Sequence, residues 1–340
     1  MKVNIIHQAI NRLISGENLT RVESKNVMKL IMQGDASDAQ IAAYLVALRI
    51  KGETVEEITG AAEVMRANAT TIKSKYRNLV DTCGTGGDSL NTFNISTAAA
   101  IVTAGAQIPV AKHGNRSVSS KCGSADILRE LGVNIDLEPD KMEKSLAEAG
   151  IAFLFAPKLH PSMKHAMGAR REIAARTIFN ILGPLTNPAK AKRQLIGVYN
   201  KNLVRTVAEV LKALGSDQVI VVHGYEGLDE ISISGKTKVC ELINGDIYDY
   251  EIWPEDFGFS SVPVQSIQCK NIEMNKKIFL KVLQGVGSPA LNAVLLNAGA
   301  AIRVSGKAES INDGIKIARE SIKSGAAMKK LEDLKELSNR

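Results

Sequence analysis

Residues 81–97 read DTCGTGGDSLNTFNIST, and the fold turns on how this stretch is read. Leu79-Val80 just before it has the character of a buried strand, and Ala98-Ala99-Ala100-Ile101-Val102 just after it reads as a helix. Between them Gly84, Gly86 and Gly87 fall within four positions, followed by Asp88, Asn91, Thr92, Asn94, Ser96 and Thr97. The order is therefore strand, glycine turn, polar cap, helix. Glycines let the backbone take positive φ and approach a ligand closely. A helix N-terminus offers unpaired N–H groups and a partial positive charge, which suit phosphate. The Lys-Ser/Thr of a nucleoside triphosphate loop is missing, and the G-x-G-x-x-G spacing of a dinucleotide loop fails. A tight turn capped by Asn94 or Ser96 is the plain alternative for a glycine cluster taken alone.

Outward from this turn, strand-like and helix-like runs alternate. The strands are expected at 79–82, 108–111, 151–155, 195–198 and 218–223, with helices at 96–104, 124–131, 140–149 and 201–214. Such alternation predicts a mostly parallel sheet flanked by helices. Residues 235–251 predict antiparallel strands around Asn244-Gly245, and the chain from about 272 is helical. Residues 1–70 read as helices, with Ile41, Ala42, Leu45, Val46 and Leu48 marking one buried face. The fold class is α/β: a small N-terminal all-helical domain, residues 1–73, beside a larger α/β domain, residues 74–340. Part of 162–187 is expected to return to the helical domain.

Composition narrows the function. No run approaches the roughly 18 apolar residues of a membrane span, and the amphipathic start lacks the pattern of a signal peptide. Four scattered cysteines fit reduced thiols in a cytoplasmic protein and argue against structural zinc. The net charge of +7 admits nucleic-acid binding, but no arginine-rich tract or RNA-binding motif accompanies it. An anionic small substrate, or simply surface lysine, explains the excess equally well.

Three further clusters carry chemistry. Lys112-His113-Gly114-Asn115-Arg116 follows a candidate strand, with Ser117, Ser119, Ser120 and Lys121 next and Cys122-Gly123-Ser124 opening a helix. Ligands of open parallel sheets bind beyond the carboxyl ends of strands. Two such loops can therefore face one ligand bearing more than one phosphate; a solvated basic loop is the alternative. Asp229-Glu230 follows the 218–223 strand and offers hard oxygen ligands suited to Mg²⁺, though acidic pairs are also common on surfaces. Pro157, His160, Met163, Arg170, Arg171 and Arg176 precede the loop Asn180–Pro188, and arginine reads a planar carboxylate in bidentate fashion.

With these clusters in place the chain resembles the anthranilate phosphoribosyltransferases. The resemblance rests on DTCGTGGD, NIST, KHGNRSVSS, CGSADILRELG, HPSMKHAMGARRE, RTIFNILGPLTNP and GLDEIS, in that order and across nearly the whole chain. It implies a helical domain hinged to an α/β domain and a homodimer through the helical domains. It implies transfer of phosphoribose from phosphoribosyl pyrophosphate (PRPP) to the amine of anthranilate in tryptophan biosynthesis, with one or two Mg²⁺ ions. Carried over by motif, the PRPP site comprises Gly84, Gly87, Asp88, Thr92, Asn94, Ile95, Ser96, Thr97, Lys112, His113, Gly114, Asn115, Arg116, Ser117, Val118, Ser119, Ser120 and Ser124. The anthranilate site comprises Gly84, Asn115, Pro157, His160, Met163 and Arg170, and the metal positions are Ser96, Asp229 and Glu230. Transition-state stabilisation falls to Mg²⁺, Lys112 and Asn115; no general base is assigned. HAMGARRE departs from the commoner VAPVRRE, with Gly168-Ala169 replacing a bulkier pair. Two other readings remain: a nucleoside phosphorylase, which needs no metal, and a non-enzymatic nucleic-acid binder. Asp229-Glu230 and the intact motifs speak against both.

Overall fold

The computed structural model describes residues 2–116 and 122–340, with side chains from Ile5 onward. It begins with four helices, α1 (Lys2–Ile14), α2 (Arg21–Gln33), α3 (Asp38–Lys51) and α4 (Val55–Asn68). Their starts are written locally. Thr20, Ser37 and Thr54 each accept a bond from the backbone three residues on, and Glu23, Gln40 and Glu57 return it, forming three capping boxes. Glu57 also accepts from the Leu19 N–H and from Lys51, so one buried carboxylate ties three helices together.

The second part follows as β1 (Val80–Gly84), α5 (Ile95–Gly105), β2 (Val110–Gly114), α6 (Ser124–Glu130), α7 (Pro139–Ala149), β3 (Ile151–Phe155) and α8 (Ala156–Leu159). Then come α9 (Lys164–Ile173), α10 (Ile178–Leu182), β4 (Arg193–Gly197), α11 (Leu203–Ala213), β5 (Gln218–Gly224), β6 (Thr237–Ile243) and β7 (Asp246–Ile252). Helices α12 (Ile272–Leu283), α13 (Pro289–Val304), α14 (Ile311–Lys323) and α15 (Ala326–Asn339) close the chain. The sheet order is β3-β2-β1-β4-β5-β6-β7, parallel through β5 and antiparallel for β6 and β7. Asn244 and Gly245, both at positive φ, make the two-residue turn of the final hairpin.

The strand order reverses between β1 and β4, the switch point beside which ligands of such sheets bind. Side chains alternate between two cores. Ile151, Phe153 and Phe155 of β3 face the layer of α5, α13 and α15, whereas Ala152 and Leu154 face α7 and α8. On that second side, under β4 and β5, the core is continuous with α1–α4: Ile196, Val219 and Val221 cluster with Tyr44, Leu45, Ile58 and Met65.

Helix α9 packs back on α2 and α3, bringing Ala166 and Ala169 into the core of the first four helices. The small residues at 168–169 have a physical role there. A Cβ on Gly168 would lie 2.4 Å from an Asp38 carboxylate oxygen, so glycine allows the helices to meet closely.

Two strands extend further than their sequence suggests, and this corrects one expectation. Lys112, His113 and Gly114 belong to β2 and not to a loop beyond it, because pairing with β3 continues to Gly114↔Phe155. Alternation then sends the Lys112 and His113 side chains to opposite faces of the sheet.

Candidate active site

The site forms at the carboxyl ends of β1, β2, β4 and β5. After β5 the Gly224 N–H donates to the Leu228 carbonyl, a tight reversal that returns Asp229-Glu230 over the end of β4. Gly84 and Gly197, paired at the ends of β1 and β4, make room for them. A Cβ on Gly84 would stand 2.6 Å from Asp229 Oδ2, and one on Gly197 only 1.5 Å from the Asp229 carbonyl oxygen. Asp229 Oδ2 accepts the Gly86 N–H at 2.8 Å, and Glu230 Oε1 accepts the Ser96 N–H at 3.0 Å. Two carboxylates thus meet the glycine turn and the first turn of α5.

In the first turn of α5 the Ile95 N–H donates to the Phe93 carbonyl at 2.8 Å, beside the Ser96 N–H held by Glu230. Asn94 makes no capping bond; it accepts from Asn275 Nδ2 at 2.8 Å and donates to the Cys122 carbonyl at 3.3 Å. The turn is therefore not simply an Asn94-capped one. Glu230 takes the place of a cap, where a negative charge complements the helix dipole. Ser96 Oγ lies 3.3 Å from Lys112 Nζ, which also donates to the Thr82 carbonyl. Lys112 is buried on the α5 side of the sheet and is held inside the site rather than displayed on a loop.

Electrostatics single out this cluster. Burial, then repulsion from Asp88, pushes the Asp229 carboxyl well above the carboxylate range; burial, then repulsion from Asp229, does the same to Glu230. Burial also raises Asp88 and lowers Lys112. Asp229 and Glu230 share one buried lysine, Lys112, while Asp88 has Arg176 nearby. The hard oxygen donors of the cluster fit a divalent cation. Among the described residues no three His, Cys, Asp or Glu side chains are placed to hold a metal unaided.

Asn115 and Ser124 meet at the end of β2, where Ser124 Oγ donates to the Asn115 carbonyl at 3.2 Å. Gly114 allows this, since its Cβ would lie 2.4 Å from that hydroxyl. Arg116 sits over the Phe155 ring, and Thr92 bridges to Gln268 at the far end of the glycine stretch. Ile95 and Thr97 are buried in α5. Ser117, Val118, Ser119 and Ser120, with Lys121, lie outside the described residues.

On the opposite face of the sheet His113 Nδ1 bonds the Gly183 carbonyl at 3.1 Å, and His113 Nε2 lies 3.3 Å from His160 Nε2. A carbonyl only accepts, so His113 carries its proton on Nδ1 and His160 donates through Nε2. Burial holds both imidazoles neutral, with pKa values of about 3 for His113 and about 4 for His160. Arg170 is half-buried over the Phe179 ring, 5.1 Å from its centroid, and has no carboxylate partner among the described residues. Met163 is half-buried against the core of the helical domain, and Pro157 is exposed on α8.

The structure gives one candidate another contact and adds residues that the sequence does not mark. Arg176, a candidate carboxylate reader by sequence, donates to the Gly87 carbonyl and stacks on Tyr199. Tyr199 N–H in turn donates to Thr85 Oγ1 at 3.0 Å, so the end of β4 braces the glycine turn. Gly197 and Asn275 belong with them. Nothing local in the sequence marks Tyr199, Gly197 or Asn275; each acts across a long chain separation.

Comparison with known proteins fits this geometry. The model of the glycosyl transferase family, a/b domain, matches residues 76–328, and that of the helical bundle domain of the same family matches residues 7–69. The anthranilate phosphoribosyltransferase of Pelotomaculum thermopropionicum is 52% identical over 98% of this chain and 97% of its own. The chain belongs to the anthranilate phosphoribosyltransferase family. The family member from Thermus thermophilus superposes with a TM-score of 0.92 at 38% identity, covering 98% of this chain and 99% of that one. The Saccharomyces cerevisiae enzyme, solved in complex with PRPP and Mg, superposes with a TM-score of 0.89 at 28% identity, covering 98% of each chain.

The neutral histidine pair has a measurable consequence. Both folded-state pKa values lie below the unfolded value near 6.5, so the unfolded chain binds more protons between pH 6.5 and about 4. Stability should fall as the pH drops through that window. In an NMR titration of the five histidines, two ring signals should remain unshifted down to about pH 5. Ordinary titration of all five near pH 6.5 would contradict the buried pair.

Proposed function

We propose that this chain transfers the phosphoribosyl group of PRPP to the amine of anthranilate, releasing pyrophosphate, as a step of tryptophan biosynthesis in the cytoplasm. The observation that carries the reading is the buried Asp229-Glu230 pair, which meets the N-terminus of α5 and the glycine turn. Family membership supports the same substrates. Among the described residues no helix is long and apolar enough to cross a membrane, and no RNA-binding motif accompanies the positive charge.

The phosphates of PRPP lie against the glycine turn, the α5 N-terminus and the Lys112–Ser120 segment, of which the His113 ring instead turns to the other face of the sheet, with Gly84, Gly87, Asp88, Thr92, Asn94–Thr97 and Ser124 contributing contacts. Mg²⁺, one or two ions held by Asp229, Glu230 and Ser96, supplies neutralisation of the leaving pyrophosphate. Anthranilate enters past Pro157, His160 and Met163 to Gly84 and Asn115. Arg170 pairs with its carboxylate and turns the ortho amine toward the sugar. Arg170 suits this because its guanidinium is half-buried without a carboxylate partner, a charge already partly stripped of water. The attacking aryl amine is neutral near pH 7, so no strong general base is needed. Positioning, and Lys112 and Asn115 beside the developing charge, contribute most of the rate.

The helical domain, residues 1–73 with part of 162–187, carries a two-fold dimer interface. Ile14 and Ile50 are 72% and 82% exposed, and Ile5, Val22 and Val46 of α1–α3 are exposed as well. Exposed apolar side chains gathered on the first three helices support a contact there.

The direct test is loss of anthranilate fluorescence with PRPP and Mg²⁺; no PRPP-dependent consumption would refute the reading. Asp229→Asn combined with Glu230→Gln should lower kcat/KM by at least about a hundredfold, roughly 3 kcal/mol, with unchanged activity across a Mg²⁺ titration telling against the metal assignment. Arg170→Ala should raise the anthranilate KM about tenfold and move the PRPP KM much less, while Arg170→Lys rescues only in part because lysine lacks the planar fork. Equal weakening of both substrates in steady-state kinetics would make the effect structural. Sedimentation at micromolar concentration should read a dimer of the 36.5 kDa chain; a monomer alone would remove the assembly proposal.

A further inference from the structure

The backbone ladder between β1 and β2 stops early. Val80 pairs with Val110, whereas the β1–β4 and β2–β3 ladders each run through five residue pairs. Past Val80, side chains take the groups that a ladder would join. Asp81 Oδ1 accepts the His113 N–H at 3.0 Å, Asn187 Nδ2 donates to the Ala111 carbonyl at 2.9 Å, and Lys112 Nζ donates to the Thr82 carbonyl. Asn187 also donates to Asp81 Oδ2 at 2.8 Å and accepts the Ala189 N–H at 2.9 Å, which uses both its amide hydrogens and its oxygen. Gln194 Nε2 reaches Asp81 Oδ2 at 3.4 Å and the Pro184 carbonyl at 2.9 Å. Asp81 is 0% exposed and Asn187 is 3% exposed.

A carboxylate removed from water is destabilising unless its lone pairs are well satisfied, so a fold keeps one only with a compensating role. The arrangement shows what that role is. Thr82 and Lys112 face α5 and the phosphate-side cluster, whereas Asp81 and His113 face the opposite side. There the His113 imidazole, anchored on Gly183, accepts from His160. Asp81 and Asn187 thus fix both the backbone of His113 and the loop that holds its ring.

We infer that Asp81 and Asn187 are positioning residues for the aromatic-substrate side of the site, standing in for the missing β1–β2 ladder and orienting His160 through His113. The inference rests on the proposed transfer to anthranilate. Asp81 is also the strongest charge interaction of the buried Lys112, whereas Asn187 bonds only on the His113 face, so the differing response of the two substrates is read on Asn187.

The test is steady-state kinetics for both substrates, with thermal melts, on N187D and N187A. N187D sets two carboxylates face to face and should raise the anthranilate KM about tenfold or more, with the PRPP KM changing less than about threefold. If both KM values rise together, the positioning role is wrong. Should N187D not fold, N187A decides: it removes the donors to Asp81 and Ala111 without adding a charge, and must raise the anthranilate KM more than the PRPP KM. Inactive wild-type protein would overturn the transferase reading, whereas active wild type with unsplit variants overturns only this inference.

Discussion

Two strand ends without side chains govern the rest of the site. Gly84 and Gly197 sit side by side where the strand order reverses, and the backbone of Asp229 crosses at a distance that a methyl group on Gly197 would forbid. This close approach lets a loop after β5 deliver its carboxylates to the turn after β1 and the helix after that turn. Elements separated by more than a hundred residues form one polar surface because two hydrogen atoms occupy the place of two side chains.

That surface is electrostatically unbalanced in a way the whole chain is not. The protein carries a net charge of +7, yet its site sets Asp229 and Glu230 beside one buried lysine, Lys112, with Asp88 next to Asp229 and Arg176. Burial raises all three carboxyl groups, and repulsion adds to it for Asp229 and Glu230. Such a cluster is stabilised by an incoming cation and by the anion that travels with it. In the proposed reading the α5 N-terminus, Lys112, Asn115 and Arg116 meet that anion. The sheet keeps its neutral pair, His113 and His160, on the opposite face.

The division by faces also explains where motif reading was least reliable. KHGNR looks like one basic loop, but strand alternation divides it: Lys112 joins the α5 side, His113 joins His160 and Gly183, and Asn115 sits at the end between them. The reading of Lys112–Gly114 as loop failed because pairing with β3, a long-range contact, extends the strand past the last apolar residue. The place of Arg176 at the glycine turn, and Tyr199 altogether, escape the sequence for a related reason. Their contacts with Gly87 and Thr85 depend on where α9 and β4 end in space, and no spacing in the sequence records this.

What the sequence determined by itself was the order of elements and the chemistry of each cluster. Hydrophobic period, three capping boxes, the Asn244-Gly245 turn and the glycine-rich stretch are local signals, each carried by residues within a turn or two of one another. The motifs that resemble the transferase family were legible for the same reason. Only the tertiary structure decided which clusters meet, which face of the sheet each side chain takes, and which buried groups are paired. It set Asp229 beside Gly86, gave Glu230 the cap position of α5, and replaced the β1–β2 ladder with Asp81 and Asn187. The physical reason is that these are long-range hydrogen bonds and close approaches. Their geometry is fixed by the packing of the whole sheet against its two cores, and that packing is a property of no single stretch of chain.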